Sequence, residues 1–380
     1  MLRALQRCYR VYLGAFIDDP ADEQYVGELQ KICPDAFVAR INRRSGAWRA
    51  LTSLWRGEPA TIAFYRSRQM SDWVASVAGH VALEKTVVFS SAMAQYAPRD
   101  VPLVVDFVDL DSEKWRKFAP AHRWPISWIY RREARELLSY ERMTAKAADA
   151  VLFVTRDELD VFESRAPECR GRAHVLRNGV DAAYFDRDPD RPNPFDAAEL
   201  PVVFTGTMDY WPNVDAVTWF VEDVLPMLRS RWPRARFYIV GRNPSRGVKA
   251  LANDSVVVTG AVDDVRPFLQ YAHAVVAPLR FGRGIQNKIL EAMAMSQPVV
   301  TVPSCARAVG AHAAQGLFCA EDAAGFADTV GQLLERTLKE AGQLGAAARN
   351  FVLNNYQWET EMRALCQLVG TPALRGESQC

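Results

Sequence analysis

The chain has little of what assigns a protein quickly. Its seven cysteines in 380 residues form no C-x-x-C pair and are odd in number. That excludes a disulfide framework or a cysteine zinc site and predicts reduced thiols in a cytoplasmic protein. The five histidines have no metal-ligand spacing. Net charge is only +1, so no overall field draws in nucleic acid, which is not an expected partner. No apolar run approaches the roughly 18 residues that read as a membrane span. The opening "MLRALQRCYRVYLGAF" lacks the apolar core and small-residue cleavage site of a signal peptide. There is no internal repeat and no low-complexity tract. No G-x-G-x-x-G follows a strand, which disfavours a nicotinamide-dependent dehydrogenase.

What is present is ordinary globular composition, 49% hydrophobic and 24% charged, at a length that suggests two or three domains. Short apolar runs alternate with helical stretches. "RVYLGAF", "TVVFSS", "LVVDFVD" and "AVLFVT" come first, then "PVVFTG", "RFYIVG", "SVVVTG", "AVVAPL" and "PVVTV". Each is nearly continuous, as for parallel strands covered on both faces. The pattern predicts βαβ units in two sheets. The stretch "YFDRDPDRPNPFDAAEL" supports neither helix nor strand and reads as a linker. The expected organisation is a first domain over 1–183, a linker over 184–199 and a second domain over 200–343. A last helix over 344–369 is placed to pack back on the first domain, followed by a frayed tail, 370–380.

One segment carries the chemistry. In "GRGIQNKILEAMA", Gly282–Ala294, a glycine turn leads from a strand into a helix expected to start near Gly284 or Ile285. Gly284, Lys288 and Glu291 are four and three residues apart and so share a helical face. Glu291 then lies roughly 10 Å along that face from Gly284, at about 1.5 Å per residue. That matches the distance from a diphosphate to the ribose hydroxyls of one nucleotide. Free N–H groups and the positive helix end over Gly284, Ile285 and Gln286 would hold phosphate. Lys288 would add a cation, and Glu291 would accept from ribose hydroxyls. The competing reading is a Lys–Glu pair on an amphipathic helix. The strand–glycine–helix context favours the ligand, since ligands sit at the carboxyl ends of such strands.

"PLRFGRGIQNKILEAMAMSQPVV" resembles the donor-binding signature of the retaining GT-B glycosyltransferases of family 4. "FTGTMDYWPNVDAVTWF", "ARFYIVGRNP", "VVVTGAVDDVRPFL", "RNGVDAAYF" and "VVDFVDLDSEKWR" resemble a bacterial subgroup associated with exopolysaccharide loci and exosortase (PEP-CTERM) sorting systems. The resemblance implies an α/β GT-B fold, two Rossmann-like doubly wound parallel-sheet domains facing across a cleft. It departs in one place. The family's E-x7-E has its second glutamate at Glu291, but Arg283 stands at the first position, where the family glutamate contacts the transferred sugar. Arg283 is then a candidate phosphate contact, with Arg280 and Lys288 as the other cations facing the leaving group.

The resemblance also places Gly206, Thr207 and Met208 beside the donor and Val262 against the nucleotide base. Gly206, at a strand's carboxyl end, lets phosphate approach the backbone; Asn213 is expected to cap the helix that follows. At Val262 a plain strand-to-helix turn is the alternative. "VDFVDLDSEKW" ends a first-domain strand, and Asp106, Asp109 and Asp111 are expected on one side of it. Asp109 and Asp111 are candidates for acceptor binding or proton transfer; helix capping by Asp111 or Ser112 is the alternative, and a metal-binding D-x-D is disfavoured by its place in the other half. Asn178-Gly179 reads as a structural turn. The stretch 116–146, with eight Arg or Lys against three Glu and interleaved aromatics, is either a solvated face or a contact to an anionic membrane surface.

The expected activity is retaining, metal-independent transfer of a sugar from a nucleotide-sugar donor to a saccharide, lipid-linked acceptor in exopolysaccharide synthesis. No cofactor is expected, the nucleotide-sugar being a substrate. The rivals are a nucleotide-sugar epimerase of the same fold and a degenerate nucleotide-binding scaffold subunit. One further expectation concerns the start. A domain of this type opens with a strand, a glycine-bearing loop and a helix. "MLRALQRCYR" resembles only the end of that helix, so the first, central strand of the sheet is expected to be missing from the chain as given.

Overall fold

The computed structural model describes residues 1–281 and 284–370. The chain divides into two compact units. One comprises Met1–Leu176 and the chain from Met362 onward; the other is Arg177–Glu361.

The first unit holds six strands, all in parallel pairs: β1 (Leu13–Ile17), β2 (Ala36–Arg40), β3 (Thr86–Phe89), β4 (Leu103–Val108), β5 (Ala150–Phe153) and β6 (Ala173–Val175). They form not one sheet but two, β1-β2 and β3-β4-β5-β6. The division falls where the usual 3-2-1-4-5 order would place a central strand between β1 and β3. The four-stranded sheet explains the continuous apolar runs. Val105, Phe107, Val151 and Phe153 pack on one face with Leu159 and Phe162. The intervening Val104, Ala150 and Leu152 pack on the other with Met362, Leu365 and Val369. Period-two alternation thus buries both faces. Three helices of this unit matter below: α1 (Arg43–Arg56), α2 (Asp111–Phe118) and α3 (Ile126–Ala147).

The second unit contains β7 (Leu200–Thr205), β8 (Ala235–Val240), β9 (Val256–Gly260), β10 (Ala274–Ala277), β11 (Val299–Thr301) and β12 (Leu317–Cys319). They make one parallel sheet in the order β12-β11-β10-β7-β8-β9. This is the doubly wound order, and its switch point lies between β7 and β10. Helices α4 (Trp211–Trp219) and α5 (Asn287–Ala294) follow those two strands in the chain.

Three boundaries differ from expectation. The first unit ends at Leu176, not at residue 183, and "RNGVD" belongs to the second unit, where Val180 N–H donates to Tyr356 O at 2.9 Å. The stretch 184–199 is not a free linker. Asp188 exchanges two backbone hydrogen bonds with the Gln270 amide, at 3.0 and 2.7 Å. Phe195 packs against Tyr238 and Phe268. Its prolines and aspartates forbid regular structure but leave side chains that fasten it as a strap. The predicted last helix is two, α6 (Leu338–Asn355) and α7 (Trp358–Val369). Tyr356 breaks it: its backbone leaves the helical region, at φ −134°, while its buried hydroxyl donates to Val309 O at 2.6 Å.

No helix among the described residues is long and apolar enough to cross a membrane.

Candidate active site

At the carboxyl edge of the second sheet, three neighbouring strands run into glycine: Gly206 after β7, Gly241 after β8 and Gly260 ending β9. Their φ angles are +156°, +153° and +72°, which L side chains rarely adopt. Gly206 N–H donates to Val240 O at 3.0 Å and Gly241 N–H to Gly260 O at 3.2 Å. The chain ends are therefore laced together by backbone alone. A Cβ on Gly241 would lie 1.7 Å from Gly206 O, and a Cβ on Gly206 would lie 2.8 Å from both Lys288 Nζ and Asn213 Nδ2. Gly241 was not among the candidate residues. The signal was available, because "PVVFTG", "RFYIVG" and "SVVVTG" share an apolar run ending in glycine.

Lys288 lies on α5 at the switch point, beside the β7 end. Its ammonium donates to Asn213 Oδ1 at 2.7 Å and sits 4.0 Å from the centroid of the Phe204 ring. Burial lowers its pKa to about 7, against an opposing pull from Glu291. Burial likewise raises the Glu291 carboxyl, with Lys288 holding it down. A cation whose hydrogen-bond partner is neutral has charge to offer an incoming anion, and an anion would restore the proton that burial disfavours.

Asn213 does not cap its helix. Tyr210 is the cap residue of α4, and Asn213 lies within the first turn, donating to Thr207 O at 2.8 Å while accepting from Lys288. It holds the loop after Gly206 and the lysine in register, a role that helix-start chemistry did not indicate.

The helix carrying Lys288 starts later than expected. Gly284 has φ +65°, outside the helical region, Gln286 is the cap residue, and α5 begins at Asn287. Gly284 and Ile285 therefore belong to the preceding turn. Only Lys288 and Glu291 share the helical face, and the helix opens with the N–H groups of Asn287 and Lys288. Ile285 is buried. Arg283 lies outside the described residues.

Two other candidates change character. Arg280 is held by Asp215 through two bonds, Nη2–Oδ1 at 2.7 Å and Nε–Oδ2 at 3.1 Å, so its charge is already matched. Met208 is fully buried, its N–H donates to Arg242 O and its carbonyl accepts from Ser245 N–H. With side chain and backbone both engaged, it is a structural residue rather than a donor contact. Val262, two residues past Gly260, is half-buried. Trp211 and Phe281 pair at 4.7 Å between centroids.

In the first unit, β4 stops at Val108, whose φ is +66° where the ladder register shifts. The expected one-sided row of aspartates is broken there. Asp106 is buried in the strand, its carboxylate accepting from Val108 N–H at 3.0 Å, and burial raises its pKa to about 6. Asp111 instead opens α2, with Leu110 as the cap residue, so neither Asp111 nor Ser112 caps that helix. Asp111 accepts from Ser91 Oγ at 3.4 Å, and burial raises its pKa against the pull of Lys114. It lines a cavity of about 440 Å³ together with Phe16, Asp18, Tyr65, Ser90, Lys114 and Trp115. Asp109 is not among the lining residues.

Comparison with known proteins bears on the fold. Residues 199–336 match the family model "Glycosyl transferases group 1". No curated protein matches the chain in sequence. Among solved structures, sucrose-phosphate synthase from Thermosynechococcus elongatus is similar at a TM-score of 0.68 and 16% identity, over 96% of this chain and 90% of that one. HepE from Anabaena, in complex with UDP, is similar at 0.64 and 14%, over 98% and 95%. The N-terminal domain of Candida albicans trehalose-6-phosphate phosphatase is similar at 0.64 and 14%, over 94% and 88%. At such identities these likenesses establish the fold, GT-B, with two Rossmann-like domains. Residues 199–336 match a group 1 glycosyltransferase domain on that fold, which supports glycosyltransferase activity.

Proposed function

We propose that the chain transfers a sugar from a nucleotide-sugar donor to a saccharide acceptor, lipid-linked and used in exopolysaccharide synthesis, with retention and without a metal. The observation that carries the donor reading is the Lys288 ammonium at the switch point, bound to a neutral amide beside a glycine that leaves the strand end uncovered. The donor diphosphate lies against Gly206, Thr207 and the N–H groups opening α5, and Lys288 faces its charge. Glu291, one turn on, accepts from the ribose hydroxyls. Val262 borders the base. HepE, crystallised with UDP, has the same fold, which supports the nucleotide reading.

In the reaction the bond between the sugar C1 and the diphosphate oxygen breaks. The acceptor oxygen bonds to C1 on the same face, and its proton passes to the departing phosphate. Lys288 and the helix N–H groups stabilise the charge that grows on the leaving group, an effect worth about 3–4 kcal/mol per well-placed donor. The acceptor occupies the cavity lined by Asp111, Lys114 and Trp115, with Asp111 holding its hydroxyls. The lipid portion of the acceptor brings the protein to an anionic membrane surface.

A thermal-shift panel of UDP, GDP, ADP and dTDP sugars tests the donor reading. One sugar nucleotide at a hundred times its Kd should stabilise by about 2.7 kcal/mol. With that donor and membrane-extracted acceptor, transfer should persist in EDTA. Conversion of donor without acceptor would instead indicate an epimerase, and binding without turnover a scaffold. No stabilisation by any of the four would end the donor reading.

A further inference from the structure

The basic stretch 116–146 is mostly committed within its own unit. Arg116 pairs with Glu113, Arg135 with Glu136, and Arg142 and Lys146 share Glu168. Arg132 is buried, donating to Ser53 O at 3.0 Å and Glu58 O at 3.3 Å. What remains outward at its start is Arg123, Trp124, Ile126 and Trp128.

Arg132 leads to a different element. Ser53 belongs to α1, whose sequence "RRSGAWRALTSLWR" contains four arginines and no acidic residue. Gly46 and Ser53 are buried on one side of it. On the opposite side stand Trp48, Leu51 and Trp55, exposed to 69%, 45% and 79%. Their spacing of three and four residues puts them in one stripe. Arg44 precedes that stripe by one turn on the same face, and Arg56 follows it, both exposed. Arg49 is turned inward, donating to the Ala63 and Phe64 carbonyls. Exposing two tryptophans and a leucine in water, bracketed by arginines, is the pattern of a helix that lies in a bilayer interface. Through the Arg132–Ser53 bond, the exposed Trp124–Trp128 segment is tied to the same helix.

We infer that α1 is an interfacial helix that seats the first unit on an anionic lipid bilayer, Trp48, Leu51 and Trp55 entering the headgroup boundary and Arg44 and Arg56 meeting lipid phosphates. Charge complementarity selects this occupant: a helix with arginines and no carboxylate suits an anionic surface, and the indoles suit its polar–apolar boundary. The inference narrows the membrane contact of the proposed function to an element outside 116–146, and it stands whether or not the chain transfers sugar.

The test is cosedimentation of the full chain with vesicles of phosphatidylcholine alone and of phosphatidylcholine mixed equally with phosphatidylglycerol, with nucleotide-sugar thermal shift measured alongside. The parent should prefer the mixed vesicles on the order of tenfold. Trp48→Ser/Leu51→Ser/Trp55→Ser should lose binding to both, and Arg44→Glu/Arg56→Glu should lose only the preference. Both should keep the parental response to nucleotide-sugar, so failure of the donor reading is scored separately. Three results would overturn the inference: a parent that binds neither vesicle, variants that bind like the parent, or loss of binding in Arg135→Ala/Arg142→Ala with the α1 variants unaffected. Dimerisation that the triple variant abolishes, without vesicle binding, would also overturn it by making the stripe a contact between copies.

Discussion

Gly241 meets the carbonyl of Gly206 so closely that a single added carbon would lie 1.7 Å from the oxygen. Both atoms concerned belong to backbone at the ends of paired strands, so neither can swing away. Gly241→Ala should therefore prevent folding of the second unit or lower its melting temperature sharply. Gly206→Ala is different, because the atoms a Cβ would meet are the ends of Asn213 and Lys288 side chains. That variant should fold at a backbone cost of about 1–3 kcal/mol and bind nucleotide-sugar poorly. Circular dichroism melts with and without ligand separate the outcomes. Equal melting temperatures for Gly241→Ala and parent would refute the first.

Lys288→Ala and Glu291→Ala should each weaken donor binding by about 1.5–3 kcal/mol, the worth of one charged hydrogen bond, with the fold retained. Asn213→Ala should weaken binding less but release the lysine. Isothermal titration checks all three. Parental affinities in both Lys288→Ala and Glu291→Ala would show that the phosphate and ribose roles are misassigned.

Lys288 also sets a pH dependence. Its pKa falls from the ordinary 10.5 to about 7 on folding, so between those values the unfolded chain binds more protons than the folded one. Stability from this group thus rises with pH from about 7 to about 10.5 and is absent below. Lys288→Met should flatten that rise in urea-denaturation midpoints. Donor affinity should run the other way, falling as pH climbs through 7 and the ammonium is lost. Lys288→Arg, always charged, should lose that slope. A nucleotide-sugar affinity independent of pH between 6 and 9 in the parent would contradict the role, those limits being set about one to two units either side of the folded value.

Asp111→Asn should raise the KM for acceptor several-fold while leaving nucleotide-sugar binding intact, because its carboxylate lines the first-unit cavity. Asp109→Asn should do less, since Asp109 is outside that lining. A larger effect at Asp109 would move the acceptor contact out of the cavity.

Legibility from sequence followed burial. The nine strands visible as apolar runs include every strand with two neighbours, and their residues are mostly buried. The unread β2, β6 and β12 are all sheet-edge strands. An edge strand covers fewer side chains, and "AFVAR", "AHV" and "LFC" are too short or mixed to signal. At the site, Lys288 and Glu291 were legible because helical spacing alone relates them. Asn213, Asp215 and Phe204 were not, because their relation to Lys288 and Arg280 comes from sheet order: β7 lies beside β10 although some seventy residues separate them in sequence. The helix start was misplaced because glycine permits the left-handed turn that Gly284 adopts, and composition does not say whether a glycine uses that freedom.

The division of the first-unit sheet has a kinetic meaning. The β1-β2 ladder is five residue pairs long and is not hydrogen-bonded into β3–β6. A two-stranded ribbon is marginal by itself and opens at less cost than a four-stranded sheet buried on both sides. Amides of 13–17 and 36–40 should accordingly exchange with solvent before those of β4 and β5. Phe16 and Asp18, at the end of β1, form one wall of the cavity that Asp111 lines from α2. Opening of the small ribbon should therefore displace the Phe16 and Asp18 wall of that cavity while the Asp111 wall on α2 stays in place.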